Sequence, residues 1–398
     1  MLRKTILKLT KWDYSRRVKS DEKERLHVDV PLGNRSYRIE IGNGLVGEVG
    51  HYIRTLDDVS KVAIVTDSVV EIMYGEALCN GLYDAKVKYN LHVVPSGEQS
   101  KSLACASELW DWVLALRLDR KSLLVALGGG VVGDLTGFIA GTYERGIRFL
   151  QVPTTLLAQV DSSVGGKTAI NIPGGKNMVG VFHQPVGVLV DPQTLLTLDD
   201  DQYKAGLGEV LKYGLSLDDS FYSFLEENTA GLQCRNLSVL RQIIVRCCQI
   251  KADIVHADEQ ETRGFRTLLN YGHTFAHAME TAAGYGTILH GLAVALGSIY
   301  SVRLANHLRK RGVHEFDAIN DNLIARQVEL FHNLGIPSSV KDIPALRNIP
   351  ASVIIKEMEK DKKTERNQRC FVLPTALGHC IQFRDVDLAI VQELLEAE

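Results

Sequence analysis

Short apolar segments alternate with amphipathic segments through the first half of the chain. The apolar segments have the length and composition of buried strands, and the segments between them carry apolar residues at helical spacing. Buried strands that alternate with helices imply a parallel sheet with helical crossovers. The predicted strands span residues 61–66, 90–95, 123–127, 149–152 and 186–190, and the predicted helices span 68–82 and 98–116.

Two further patterns flank this region. Residues 27–41 hold two alternating runs around Gly33-Asn34, which predict a β-hairpin. After about Leu198 the strand signals nearly vanish, and helical periodicity takes over apart from a late predicted hairpin at 370–383. The sequence therefore predicts an α/β half followed by a mainly α-helical half. The helical segments of the second half are 202–225, 238–255, 267–283, 292–308 and 326–334.

Composition excludes several classes of protein. A chain of 398 residues is long enough for two domains, and 45% hydrophobic with 23% charged residues is typical of globular proteins rather than disordered ones. The net charge of −3 does not indicate a nucleic-acid partner, and no apolar run is long enough to span a membrane. The seven cysteines form no CxxC pair, which favours reduced thiols in a cytoplasmic protein.

A predicted strand runs directly into a glycine-rich turn and a helix at residues 123–134. Gly128, Gly130 and Gly133 fit a GxGxxG pattern, in which backbone amides and a helix N-terminus can bind a pyrophosphate. The alternative is a tight turn packed beneath a helix. Two more polar loops, 96–101 and 153–155, also follow predicted strands, where a doubly wound sheet binds its ligand. Together the three loops favour nucleotide binding.

Lysines occur in two contexts that suit an anionic ligand. Lys167 and Lys176 each end a Gly-Gly-Lys triplet, whose exposed amides and charge suit a phosphate or carboxylate, although flexible surface loops would look the same. Lys251 lies on an otherwise apolar helix face, where an unpaired charge is costly. Either its side chain extends to solvent or an anion meets it, and in the second case Lys251→Met should leave the free protein at least as stable.

Four residues can bind a metal. His273 and His277 share one helix face at i and i+4, His290 offers a third imidazole, and Glu209 offers a carboxylate. A catalytic zinc needs three protein ligands and an open position. Core histidines and a surface pair between Glu209 and Lys212 are the alternative.

Four segments in order resemble the 3-dehydroquinate synthase family: 128–171, 175–185, 208–214 and 269–280. The resemblance runs from about residue 27 to the C-terminus. Residues 1–26 fall outside it and are predicted to be a basic N-terminal extension. The resemblance implies a Rossmann-type α/β NAD-binding domain (27–198) and a mainly α-helical metal- and substrate-binding domain (199–398). It also implies a cytoplasmic homodimer that uses NAD⁺ and one divalent metal, Zn²⁺ or Co²⁺.

The implied activity converts the sugar phosphate 3-deoxy-D-arabino-heptulosonate 7-phosphate to 3-dehydroquinate and phosphate. The implied metal ligands are Glu209, His273 and His290. The implied NAD⁺ contacts are Ser96, Gly97, Glu98, Lys101, Gly130, Val131, Val132, Gly133, Asp134, Thr154, Thr155, Lys167, Lys176, Thr194, Leu195, Leu196 and Thr197. The implied substrate contacts are Asp161, Lys167, Asn177, Lys212, Lys251, Arg266, Asn270, His277 and one of Lys362 and Lys363, with Arg145 reaching the phosphate in a neighbouring subunit.

The chain departs from the family pattern at two places. Leu292 stands where the family usually has glutamate. One extra residue in 261–266 leaves two candidates for the arginine that binds the substrate carboxylate, Arg263 and Arg266. The spacing to Asn270 favours Arg266.

Three rival functions remain open from the sequence. They are another sugar phosphate cyclase of the 2-deoxy-scyllo-inosose or valiolone type, a metal-dependent alcohol dehydrogenase of the glycerol dehydrogenase type, and a non-catalytic relative that only binds ligand.

Overall fold

The computed structural model describes residues 25–360, 370–384 and 386–397. Nearly all of the predicted N-terminal extension therefore lies outside the described residues, as do Lys362 and Lys363. The contacts divide the chain into two compact units. Among the described residues, the first unit contains 25–198 together with Leu240–Gln260, and the second contains Asp199–Val239 and the residues from Glu261 onward.

A seven-stranded sheet forms the centre of the first unit, with the strand order β1-β2-β9-β6-β5-β3-β4. Only β1 and β2 pair antiparallel, as the predicted hairpin requires, and the other neighbouring strands pair parallel. The strands are β1 (Leu26–Val30), β2 (Tyr37–Ile41), β3 (Val62–Asp67), β4 (Tyr89–Val94), β5 (Leu123–Gly128), β6 (Arg148–Pro153) and β9 (Gly187–Val190).

Helices cover both faces of this sheet, so its central strands are apolar on both sides. In β3, Ala63 and Val65 join one core cluster, while Val62 and Ile64 join another. Successive residues of a strand point to opposite faces, which explains why a continuous apolar run is needed here. The covering helices are α1 (Val49–Thr55), α2 (Ser68–Asp84), α3 (Leu103–Ala115) and α4 (Gly130–Thr142).

A second hairpin lies outside the main sheet and was not predicted. It consists of β7 (Lys167–Ile172) and β8 (Gly175–Phe182), which pair antiparallel. The two Gly-Gly-Lys triplets thus lead into strands rather than forming two loops. The glycines obscured the short alternation in Thr168-Ala169-Ile170, where the first and third residues are buried.

Helices dominate the second unit, as predicted. The 202–225 segment contains two helices instead of one, because the Asp218 side chain accepts a hydrogen bond from the Phe221 amide (3.0 Å) and starts a new helix. The helices are α5 (Asp200–Leu217), α6 (Asp219–Glu227), α7 (Thr229–Gln233), α8 (Leu237–Ala257, shared with the first unit), α9 (His273–Ala283), α10 (His290–Lys310), α11 (Asp321–Asn333), α12 (Ala351–Lys360) and α13 (Leu388–Glu396).

The predicted late hairpin is β10 (Cys370–Ala376) with β11 (His379–Arg384), and its residue Phe371 packs into the core beside Phe275 of α9. Within the described ranges, no helix combines the length and apolarity that crossing a bilayer requires.

Candidate active site

Three of the four predicted metal ligands converge in the second unit. Glu209 lies within α5, while His273 and His290 are the first residues of α9 and α10. The Nε2 atoms of His273 and His290 lie 3.9 and 3.7 Å from Glu209 Oε1. The three potential ligand atoms lie within 4.8 Å of one another. In a tetrahedral zinc site with bonds of about 2.1 Å, donor atoms are about 3.4 Å apart, so this group needs only a small contraction to bind the ion.

A glycine stands beside each of these three residues and sets its position. A Cβ on Gly208 would lie 2.1 Å from the carbonyl oxygen of Gly291, and a Cβ on Gly291 would lie 1.8 Å from that of Ala205. The backbones of α5 and α10 therefore touch where Glu209 and His290 branch from them. Gly272 precedes His273 with a φ of +80°, a conformation that favours glycine.

The environment of Glu209 fits a cation. Among the described residues, neither carboxylate oxygen of Glu209 accepts a hydrogen bond of good geometry, although the side chain is fully buried. The buried Lys212 ammonium lies 2.5 Å from Oε2 as an ion pair. The surface-pair alternative is therefore wrong, since both side chains are buried. A buried carboxylate with two nearby imidazoles is a donor set that Zn²⁺ and Co²⁺ accept.

His273 is held in the form that a metal requires. Burial, followed by the nearby Lys212 charge and the other two histidines, holds the pKa of His273 well below its usual range, so the ring is neutral near pH 7. Its Nδ1 lies 3.2 Å from the Tyr271 carbonyl oxygen. A carbonyl only accepts hydrogen bonds, so the proton is on Nδ1 and Nε2 has the free lone pair.

The structure also brings into this group Glu280, which was not predicted from the sequence. Glu280 is buried on α9, and its Oε2 lies 3.1 Å from His290 Nδ1. With His277 and His290 it forms a second trio whose potential ligand atoms are within 4.8 Å of one another. The signal was available, because His273, His277 and Glu280 are spaced i, i+4 and i+7 on one helix face.

The carboxyl ends of β5 and β6 bring two of the predicted nucleotide loops together in the first unit. The Thr154 amide donates to the Gly128 carbonyl oxygen (3.0 Å), and a Cβ on Gly129 would lie 3.0 Å from the Thr155 methyl group. The helix α4 begins at Gly130 with no side-chain cap on its amides. Free amides at a helix N-terminus beside a glycine turn suit a phosphate group.

The third loop, Ser96–Lys101, is tied to the same region. The Lys101 ammonium lies 2.6 Å from Asp134 Oδ2 on α4, and Glu98 accepts a hydrogen bond from the Asn171 side chain (2.8 Å). Burial raises the pKa of the Asp134 carboxyl, while Lys101 opposes that shift. The helix α3 is capped by Ser102, whose hydroxyl oxygen accepts a hydrogen bond from the Cys105 amide.

Lys251 has a protein partner. Its ammonium donates to the carboxylate and to the carbonyl oxygen of Asp161, the latter at 2.6 Å. The side chains of Lys251 and Asp161 are 9% and 21% exposed. The interpretation of an unpaired charge on an apolar face was therefore wrong, because a residue 90 positions away in the chain supplies the counter-charge.

The remaining predicted residues differ in their exposure. Arg266 is buried and begins a short helical turn that ends at Asn270, whereas Arg263 is exposed. Asn177 and Arg145 have positive φ values of 57° and 64°.

Two more residues that were predicted to contact NAD⁺ have polar neighbours in the structure. The Thr194 hydroxyl accepts a hydrogen bond from the side-chain amide of the buried Gln159 (3.0 Å), and the Lys176 ammonium lies 4.0 Å from the Glu98 carboxylate. Leu292 is half-buried in the first turn of α10.

Comparison with known proteins identifies the family. A family model described as 3-dehydroquinate synthase N-terminal matches residues 91–205, and one described as 3-dehydroquinate synthase C-terminal matches residues 206–364. The chain belongs to the 3-dehydroquinate synthase family. The 3-dehydroquinate synthase of Desulforamulus reducens is 43% identical over 373 residues, covering 92% of this chain and 99% of the relative. That of Colwellia psychrerythraea is 42% identical over 371 residues, with coverage of 92% and 99%.

Solved structures agree with the two-part fold predicted for this family. The 2-epi-5-epi-valiolone synthase of Streptomyces hygroscopicus, solved with NAD⁺ and Zn²⁺, has a TM-score of 0.80 at 26% identity and covers 91% of this chain and 96% of its own. A 2-deoxy-scyllo-inosose synthase, complexed with carbaglucose-6-phosphate, NAD⁺ and Co²⁺, has a TM-score of 0.80 at 25% identity, with coverage of 94% and 99%. A probable glycerol dehydrogenase from Sinorhizobium meliloti shares the fold alone, at 12% identity, a TM-score of 0.60 and coverage of 90% and 94%.

Proposed function

We propose that this chain is a 3-dehydroquinate synthase, which converts 3-deoxy-D-arabino-heptulosonate 7-phosphate to 3-dehydroquinate and phosphate with NAD⁺ and one divalent metal. The observation that carries the proposal is the converging group of Glu209, His273 and His290 in a chain of this family. Sequence identity favours this activity over those of the other sugar phosphate cyclases. This chain is 42–43% identical to the two dehydroquinate synthases above, but only 25–26% identical to the valiolone and inosose synthases.

The metal would be held by Glu209 and by the Nε2 atoms of His273 and His290. When bound, it supplies a Lewis acid that polarises a substrate oxygen. Lys212 would neutralise part of the Glu209 charge and hold that carboxylate in place, since its ammonium is buried within 2.5 Å of Oε2. His277, the exposed histidine of the group, is proposed to face the substrate rather than to bind the ion.

In the first unit, the glycine turn and α4 would hold the NAD⁺ pyrophosphate, with Thr154 and Thr155 beside them. When bound, NAD⁺ would supply a reversible hydride acceptor, so that the overall reaction involves no net redox change. Lys101 would keep Asp134 ionised despite its burial, because the ammonium 2.6 Å away favours the charged carboxylate. The remaining predicted NAD⁺ contacts keep their roles as part of this proposal.

The substrate carries a carboxylate and a phosphate, and the predicted contacts have matching charge. Lys167, Lys212, Lys251 and Arg266 are cations, and Arg offers a planar fork that suits a carboxylate. Asp161 would orient Lys251, with which it pairs in this structure. A homodimer, a cytoplasmic location and a role for Arg145 across a dimer interface rest on the family resemblance and belong to the same proposal.

A phosphate-release assay tests this function. Purified enzyme with the heptulosonate phosphate and substoichiometric NAD⁺ should release many equivalents of phosphate per NAD⁺, without accumulating NADH. Exhaustive chelation should stop the release, and Zn²⁺ or Co²⁺ should restore it. A rise in reduced nicotinamide in step with product would indicate a dehydrogenase. Turnover of a hexose 6-phosphate in place of the heptulosonate would indicate a different sugar phosphate cyclase.

A further inference from the structure

We propose that Glu280 is a positioning residue, which holds the His290 ring so that Nε2 is available to the metal. The inference rests on the metal site of the proposed function and assigns a role to a residue outside its ligand set. Both ring nitrogens of His290 face a carboxylate: Nδ1 lies 3.1 Å from Glu280 Oε2, and Nε2 lies 3.7 Å from Glu209 Oε1. Only the first distance is that of a hydrogen bond.

The hydrogen bond selects one tautomer. An ionised carboxylate can only accept, so the Glu280 contact places the His290 proton on Nδ1 and leaves the lone pair on Nε2. The ring of His273 is arranged in the same way, with the Tyr271 carbonyl oxygen in the accepting role. The two histidines thus present equivalent Nε2 atoms to Glu209, one oriented by a backbone carbonyl and the other by a glutamate.

Burial makes this contact persistent. The Glu280 side chain is 5% exposed, whereas His290 is 29% exposed. A buried carboxylate is held at its polar contacts because solvent cannot replace them. Close helix packing supports the geometry: a Cβ on Gly297 of α10 would lie 2.1 Å from the carbonyl oxygen of Gly272, the residue before α9. The helix that carries Glu280 is therefore in tight contact with the helix that begins at His290.

Glu280 reaches His290 from a different helix. On α10 itself, the residue two positions after His290 is Leu292, whose side chain can neither accept a hydrogen bond nor carry charge. Glu280 supplies a carboxylate to His290 from the neighbouring helix. Second-layer partners of a ligating histidine typically change metal affinity by about 10–100-fold, which sets the expected size of the effect.

The competing reading makes Glu280 a ligand, together with His277 and His290. In that arrangement Nδ1 of His290 would face the ion and could not carry the proton. His277 would then be essential for binding, although it is exposed. The two readings differ in the effect of His277→Ala.

Metal affinity provides the test, measured on metal-free protein by competition for Co²⁺ and Zn²⁺ with a chromophoric chelator. Glu280→Gln should raise the dissociation constant about 10–100-fold. At saturation it should keep the wild-type Co²⁺ absorption spectrum, because the ligand set is unchanged. His290→Ala should weaken binding further and alter the spectrum. His277→Ala should bind as the wild type does. Glu393→Gln is the matched control, since Glu393 faces His307 at 3.8 Å on an exposed surface of the same unit.

An unchanged dissociation constant in Glu280→Gln would overturn the inference, and so would loss of binding in both Glu280→Gln and His277→Ala. Circular dichroism and thermal melting of the metal-free variants show whether each is folded. If Glu280→Gln is not, Glu280→Asp keeps the charge with one methylene fewer and should bind with an affinity between those of the wild type and His290→Ala; wild-type affinity there contradicts the proposal. A wild-type protein that binds no metal would instead remove the proposed metal site itself.

Discussion

At the scale of single residues, the ion pair between Lys251 and Asp161 changes the expected effect of replacing the lysine on the stability of the protein. The sequence places it on an apolar helix face, where an unpaired ammonium is costly. The structure pairs it with Asp161, which contributes both a carboxylate and a backbone carbonyl oxygen. Removing the lysine therefore does not relieve a desolvated charge but takes a counter-charge from a partly buried carboxylate. The expected sign of the stability change is reversed.

Lys251→Met should destabilise the ligand-free protein by about 1–3 kcal/mol, the cost of removing a charged hydrogen-bond donor from a partly buried carboxylate. Adding Asp161→Asn should recover part of this loss, because the carboxylate charge is then removed as well. Urea unfolding of the two single variants, the double variant and the wild type completes the cycle. A Lys251→Met protein as stable as the wild type would show that the pair contributes nothing measurable.

At the scale of helices, glycines set the geometry of the metal group. The α5 and α10 backbones touch at Gly208 and Gly291, and each of these residues adjoins a proposed ligand. Larger side chains there would separate the helices and move Glu209 away from His290. Helix packing, rather than loop flexibility, thus determines the separation of two of the three donor atoms.

Gly291→Ala should therefore weaken metal binding as well as stability. Its Cβ would lie 1.8 Å from the Ala205 carbonyl oxygen, so the helices must shift, at a cost of about 1–3 kcal/mol. Gly174→Ala is the control, because nothing lies within 4 Å of its added Cβ and its φ is not positive. Thermal melting and Co²⁺ titration of both variants check this. If the two variants have equal melting temperatures and equal Co²⁺ affinities, the contact between α5 and α10 does not determine the stability of the protein or the geometry of the metal group.

At the scale of the whole molecule, all seven cysteines are free, as their spacing predicted. Neither unit depends on a disulfide, in agreement with the size of the apolar clusters that fill both of them. Their exposure differs widely: Cys234 is exposed, whereas Cys247 and Cys248 are buried. Burial raises the pKa of the Cys248 and Cys380 thiols to about 12.

Thiol titration at about pH 8 should follow these differences. Cys234 should react fast in the native protein, while Cys248 and Cys380 should react slowly, because a raised pKa keeps them protonated and the reactive species is the thiolate. Unfolding without reductant should release all seven thiols, since the pKa of an unfolded cysteine returns to about 8.5. Fewer than seven titratable groups would contradict the absence of disulfides, and rapid native reaction of Cys248 would contradict its burial.

The sequence by itself determined the order and type of most elements, the family and the identity of the candidate ligands. Strand alternation and helical periodicity depend on residues close together in the chain, so they can be recognised without a structure. Three features required the tertiary structure: the Lys251–Asp161 pair, the Glu280 contact with His290, and the glycine contacts that bring α5 against α10. Each joins residues on different elements, and only packing determines which side chains meet. The β7–β8 hairpin was missed because glycine pairs adjoin both strands, Gly165-Gly166 before β7 and Gly174-Gly175 at the start of β8, and are typical of loops.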